Sequence, residues 1–290
     1  MGRDHPEPWA VRTARRLGWR AYVIPVLVVV TAWVLIDVVY GGGGIDGDPA
    51  EIPEHAAPGP TPHGFTREPG VGQLPPGPDF AVAGSGVFET VGAPGAESGE
   101  GRELQLDYVT QIEDVVDPTV FGGADAFAAM VDATLTDPDR GWTADPRWAF
   151  RHVAEDDDPD MLIQLVASDT AAQLCGQTLK FEVSCRLKGG DGPDRIILNN
   201  SRWIRGAATF EGDLGGYRQY LVNHEVGHAL GYGHDACPED GALAPVMLQQ
   251  SLALDNRTVH DMGADPVYPD NGFACRANGW PYPTGFEPEE

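Results

Sequence analysis

Basic residues are scarce in this 290-residue chain: 19 Lys and Arg stand against 44 Asp and Glu, a net charge of −25. A protein that tracks a phosphate backbone needs the opposite surplus, so the composition excludes nucleic acid as a partner. Cysteine is scarcer still. Cys175, Cys185, Cys237 and Cys275 all lie in the second half, and no two have Cys-x-x-Cys spacing. That excludes a disulfide-dense miniprotein and disfavours a cysteine zinc site. Internal repeats and the calcium-loop spacing are also missing. The acidic run Glu155–Asp160 offers oxygens for Ca²⁺, although a hydrated turn needs no ion.

What is present divides the chain. Residues 1–20 carry Arg3, Arg12, Arg15, Arg16 and Arg20 against Asp4 and Glu7. Residues 21–40 are apolar apart from Thr31 and Asp37, and no Lys or Arg follows until Arg67. A helix of that length spans about 30 Å, the thickness of a bilayer's hydrocarbon core. Charge asymmetry places residues 1–20 in the cytoplasm and everything after Tyr40 outside. The competing pattern is a cleaved signal peptide, since Val30-Thr31-Ala32 has the small-residue spacing of a cleavage site. Continuation of the apolar run to Tyr40 favours an uncleaved single-pass anchor in the cell membrane. Residues 41–80 hold nine Pro and ten Gly, a composition expected of a disordered tether.

Residues 81–290 are then the extracytoplasmic domain, long enough for one core. Alternating or apolar runs predict strands at Leu104–Ile112, Trp148–Val153, Met161–Val166, Leu179–Leu187 and Arg195–Leu198. Helical periodicity predicts Ala124–Leu135 and Leu214–Leu230, the second with Asp213 as N-cap and Gly231 as its break. The expectation is an α+β (α/β-like) domain with a five-stranded sheet, two main helices and an irregular C-terminal tail. In an exported domain the cysteines pair, and four allow three connectivities. Cys175 and Cys185 flank a hairpin-like segment, and Cys237 and Cys275 flank the tail, which favours Cys175–Cys185 with Cys237–Cys275.

The chemistry concentrates in Asn223-His-Glu-Val-Gly-His-Ala-Leu-Gly-Tyr-Gly-His234. At i and i+4, His224 and His228 leave one helix face and can reach one zinc ion. The break at Gly231 lets His234 approach as a third ligand, and Glu225 points at the same place. From this chain's own residue frequencies, the whole pattern is expected by chance about 5 times in 100,000 such sequences. A lone His152 or His260 is better read as an ordinary core or solvated residue.

His224-Glu225-x-x-His228-x-x-Gly231-x-x-His234 resembles the signature of the metzincin zinc proteases. The resemblance implies a metzincin-like mixed sheet, one catalytic Zn²⁺, Glu225 as general base and a peptide or protein substrate. It also implies a methionine turn, for which Met247 in Ala244-Pro-Val-Met-Leu-Gln249 is the match. Some metzincins carry a tyrosine two residues beyond that methionine, where this chain has Gln249. An antiparallel edge strand above the metal would hold the substrate, here Leu179–Leu187, with Phe181 and Val183 within it. The whole chain is similar to an uncharacterised actinobacterial family of membrane-anchored metzincin-like proteins. A zinc-holding interaction domain without hydrolysis is the second reading, and a cell-wall crosslink peptide is an alternative substrate. The intact Glu225 favours hydrolysis.

Overall fold

The computed structural model describes residues 29, 31, 70–176 and 184–288. The expected cytoplasmic segment, the anchor and most of the tether lie outside the described residues, as do Phe181 and Val183. No helix among the described residues is long and apolar enough to cross a membrane.

Among the described residues, seven strands form one mixed sheet: β1 (Phe88–Val91), β2 (Glu97–Gly99), β3 (Leu104–Glu113), β4 (Trp148–His152), β5 (Met161–Val166), β6 (Cys185–Leu187) and β7 (Asp194–Asn199). Their order is β2-β4-β3-β5-β7-β6. β3 pairs in parallel with β4 on one edge and with β5 on the other. β1 continues the first edge in antiparallel register, Phe88 opposite Glu113. β5 and β7 are parallel, and β6 closes the sheet antiparallel to β7. Two more strands occur than the five expected, because β1 and β2 are short, largely exposed and without an apolar alternation to mark them. Of the strand expected at Leu179–Leu187, the described part forms β6, and it is indeed an edge.

Side chains alternate across the pleat as the two-residue period requires. Tyr108, Ile112, Phe150, Ile163, Leu165, Ile196 and Leu198 enter the main core on one face. Helices α1 (Ala124–Leu135) and α4 (Leu214–Ala229) cover that face, within a residue of their expected bounds. Val166, Ile197 and Ala171 form a smaller cluster on the other face, under α2 (Ser168–Cys175). α2, α3 (Asn200–Arg205) and α5 (Asn256–Asp261) are six to eight residues long, too short for periodicity to reveal.

Beyond α4 the chain is mostly irregular, yet much of it is buried. A buried backbone without strands needs other partners, and amide side chains supply them. Asn256 receives the Cys237 N–H at 2.8 Å and donates to its carbonyl at 2.9 Å. Gln250 and Asn278 bracket the tail in the same way. Both expected disulfides are formed, Cys175–Cys185 and Cys237–Cys275.

The tether ends earlier than composition suggested. Gly72 donates to the Leu252 carbonyl, and Arg205 binds the Pro78 carbonyl at 2.8 Å while its guanidinium covers Phe80. Residues 70–80 are therefore attached to the domain. Their Pro and Gly content misleads because Arg202 and Arg205, from the segment after β7, bind the Gly72 and Pro78 carbonyls and so hold this stretch.

Candidate metal centre

α4 begins at Asp213, whose carboxylate accepts the Gly216 N–H at 2.9 Å. Gly215 and Gly216 are poor helix formers, so burial rather than propensity carries the helix. Every residue from Tyr220 to Gly227 is buried. The helix stops in a Schellman turn: Gly231 N–H donates to His228 O, and Tyr232 N–H to Gly227 O. Gly231 has φ +95°, which a side chain would strain. This turn reverses the chain and returns His234 to the helix.

His224, His228 and His234 come together as expected, each with a ligand atom within 4.8 Å of the others. Their rings stand 4.9–5.5 Å apart between centroids. Each ring is turned by a different partner. His224 Nδ1 donates to the Val246 carbonyl, His228 Nδ1 to the Tyr232 carbonyl, and His234 Nδ1 to the Asp265 carboxylate, at 2.8–2.9 Å. Carbonyls and carboxylates only accept, so each Nδ1 carries a proton and Nε2 is the nitrogen left to bind a metal. Fixing the outward nitrogen in this way is how proteins orient metal-binding imidazoles.

The site's chemistry suits a cation. Burial and the neighbouring imidazole of His228 hold His224 down at about 3, and burial lowers His228. The three imidazoles offer a divalent ion three nitrogen ligands at one place. The fit to zinc is therefore good on donor type and number, and the lowered His224 and His228 suit it too.

Met247 lies in the turn Pro245–Leu248, closed by the Leu248 N–H to Pro245 O bond of 3.0 Å. The turn does two jobs. Its Val246 carbonyl orients His224, and Met247 packs on the helix between the first two histidines. A Cβ on Gly227 would come within 2.4 Å of the Met247 sulfur and 2.9 Å of the Trp142 ring, so a larger residue here would push Met247 out of its place. Met247 O also accepts from Asp235 N–H, tying the residue after His234 to the same turn.

Glu225 is buried beside His224, and burial raises its carboxyl from an ordinary 4.5 to about 8. It lines a cavity of about 600 Å³ together with the three histidines, Tyr220 and Gln249. Gln249 donates its backbone N–H to the Tyr268 hydroxyl at 3.0 Å, and its side-chain oxygen is buried without a hydrogen bond.

Residues 74–283 match the family described as "Protein of unknown function (DUF3152)". The chain belongs to that family. The matched stretch starts inside the expected tether, in agreement with the attachment of residues 70–80, and it contains every residue of the histidine cluster. No curated protein and no solved structure matches the chain.

His152 and His260 stay outside the cluster. His152 is buried 2.9 Å from Asp132 and stacks on Tyr108, and His260 binds the Tyr268 carbonyl. The acidic run turns onto local partners: Asp157 caps Ala154 N–H, Asp160 caps Asp107 N–H, and Glu155 accepts from Thr90. Among the described residues it forms no cluster of the kind the histidines make. Sequence reasoning missed Asp265, Tyr232 and Arg186. Asp265 is 31 positions from His234 across irregular chain, and nothing in the local pattern Gly-Ala-Asp-Pro signals its role.

Proposed function

We propose that the protein is a membrane-anchored, zinc-dependent endopeptidase of metzincin type, working outside the membrane through residues 81–290. The observation that carries this reading is the pairing of an incomplete ligand set with a buried acid. The three imidazoles offer three ligands, no fourth His, Cys, Asp or Glu joins them among the described residues, and Glu225 opens on the same cavity. A structural zinc site usually closes with four protein ligands, whereas a catalytic one keeps a position open.

Bound zinc supplies a Lewis acid that lowers the pKa of water toward about 7 and polarises a carbonyl. Glu225 accepts the proton of the attacking water and hands it to the amine that leaves. An upward-shifted carboxyl suits this exchange, because a general base works best with a pKa near the working pH. Asp265 holds His234 in place, as Val246 and Tyr232 do for the other two rings. The edge position of β6, beside α4, offers unpaired backbone to an extended peptide.

The interaction-domain reading explains the histidines but gives Glu225 no task. A peptide library incubated with the full-length protein tests the proposal. Turnover should appear with zinc, disappear with a chelator and return on adding zinc back. Turnover indifferent to chelation would remove the metal from the account.

A further inference from the structure

Among the described residues, two arginines and one carboxyl line the cavity that faces the histidines, in a chain that is acidic as a whole. The protein carries 44 acids and 19 bases, but the acidic and basic side chains that line this cavity among the described residues are Arg186, Arg202 and Glu225. The other polar side chains there, such as Ser184, Tyr217, Gln249 and Ser251, are neutral.

Arg186 stands on β6, next to the Cys175–Cys185 disulfide, and its charge is felt at His228. It donates to Asp194 through Nε and Nη2. A guanidinium has five N–H groups, so this pairing leaves donors over for a ligand. Asp194 itself does not line the cavity. Arg202, on α3, is 1% exposed and fixed by the Gly206 and Gly72 carbonyls. Its charge is felt at Tyr217, another lining residue.

We propose that this cleft selects acidic peptides, recognising a carboxylate close to the bond to be cut through Arg186. The inference names a substrate class for the peptidase site and rests on that reading. Arginine recognises carboxylates by paired, charge-assisted hydrogen bonds. Salt screens charges inside a cleft less than it screens exposed ones, so a contact made there keeps more of its strength. A basic peptide drawn to the outer surface would have to desolvate its cations beside the Arg186 guanidinium, which disfavours it at the site.

Binding to metal-free, full-length protein is the test, because a carboxylate–zinc bond cannot then imitate the preference. Fluorescein-labelled Ala-Ala-Glu-Glu-Ala-Ala is compared with its Gln-Gln and Lys-Lys counterparts, all amidated, by fluorescence anisotropy. The Glu peptide should bind at least about tenfold more tightly than either, as a charge-assisted contact implies. A Gln-Gln peptide with a free C-terminus shows whether a terminal carboxylate serves as well. Arg186→Gln should reduce the Glu peptide to the level of the Gln peptide, and Arg186→Lys should recover part of the difference. Equal affinities, a preference for the Lys peptide, or no binding of the Glu peptide would overturn the inference, and the wild-type comparison decides even if a variant folds poorly. Cleavage by zinc-loaded wild type separates the two claims. Acidic preference in binding without hydrolysis keeps the selection of acidic peptides and removes the peptidase reading, and with it the bond to be cut. Hydrolysis without that preference does the reverse.

Discussion

Glu225→Gln should remove nearly all peptide hydrolysis while one zinc per chain stays bound. Glutamine keeps the size and hydrogen-bonding reach of the carboxyl but cannot accept a proton, and Glu225 is not among the clustered ligands. General-base catalysis is worth about 10²–10⁴-fold, so kcat should fall by that factor with KM little changed. Metal content and turnover, measured on one preparation, give the answer. Undiminished turnover would move the base to another residue. The metal-free protein supplies a second readout. Burial raises the carboxyl from 4.5 to about 8, so between those values the unfolded chain releases its proton before the folded one does. Wild-type stability should therefore decline as pH rises through that window. Glu225→Gln should lack this decline, so a denaturation series from pH 4 to pH 9 should show the two curves separating upward.

Removing the Cys237–Cys275 bridge should be the most destabilising change. The disulfide closes a loop with a sequence separation of 38, for which chain entropy predicts about 4 kcal/mol. Within that loop lie Met247, Val246 and Asp265, and the last two orient two of the three histidines. The double variant Cys237→Ser with Cys275→Ser should thus lose stability in denaturant and also bind zinc more weakly. Loss of an orienting partner typically costs about 10–100-fold in metal affinity. The Cys175–Cys185 bridge closes a separation of only 10 and holds no ligand or orienting residue. Its removal should cost less in both measurements. Equal effects of the two would mean that the tail holds its shape without its disulfide.

Legibility followed the physics of each element. β3, β5, β7, α1 and α4 were readable because long buried elements impress a two- or 3.6-residue period on the sequence. β1, β2, α2, α3 and α5 were not, since a few residues complete no period. The ligands and Glu225 could be read because i, i+4 spacing on a helix and a glycine stop are local rules. The groups that turn the rings could not. Val246 and Tyr232 act through main-chain carbonyls, which any residue possesses, and Asp265 reaches His234 through tertiary folding. Residues 70–80 misled for a related reason: Arg202 and Arg205 bind their carbonyls, and carbonyl acceptance leaves no mark on composition.

The central claim is a three-imidazole zinc site with one position left open beside Glu225. X-ray absorption at the zinc edge, on full-length protein given one equivalent of zinc, tests it most directly. The account predicts full occupancy, three imidazole nitrogens and one light atom that exchanges with solvent. A sulfur neighbour, a fourth protein ligand, or failure to retain stoichiometric zinc would contradict it.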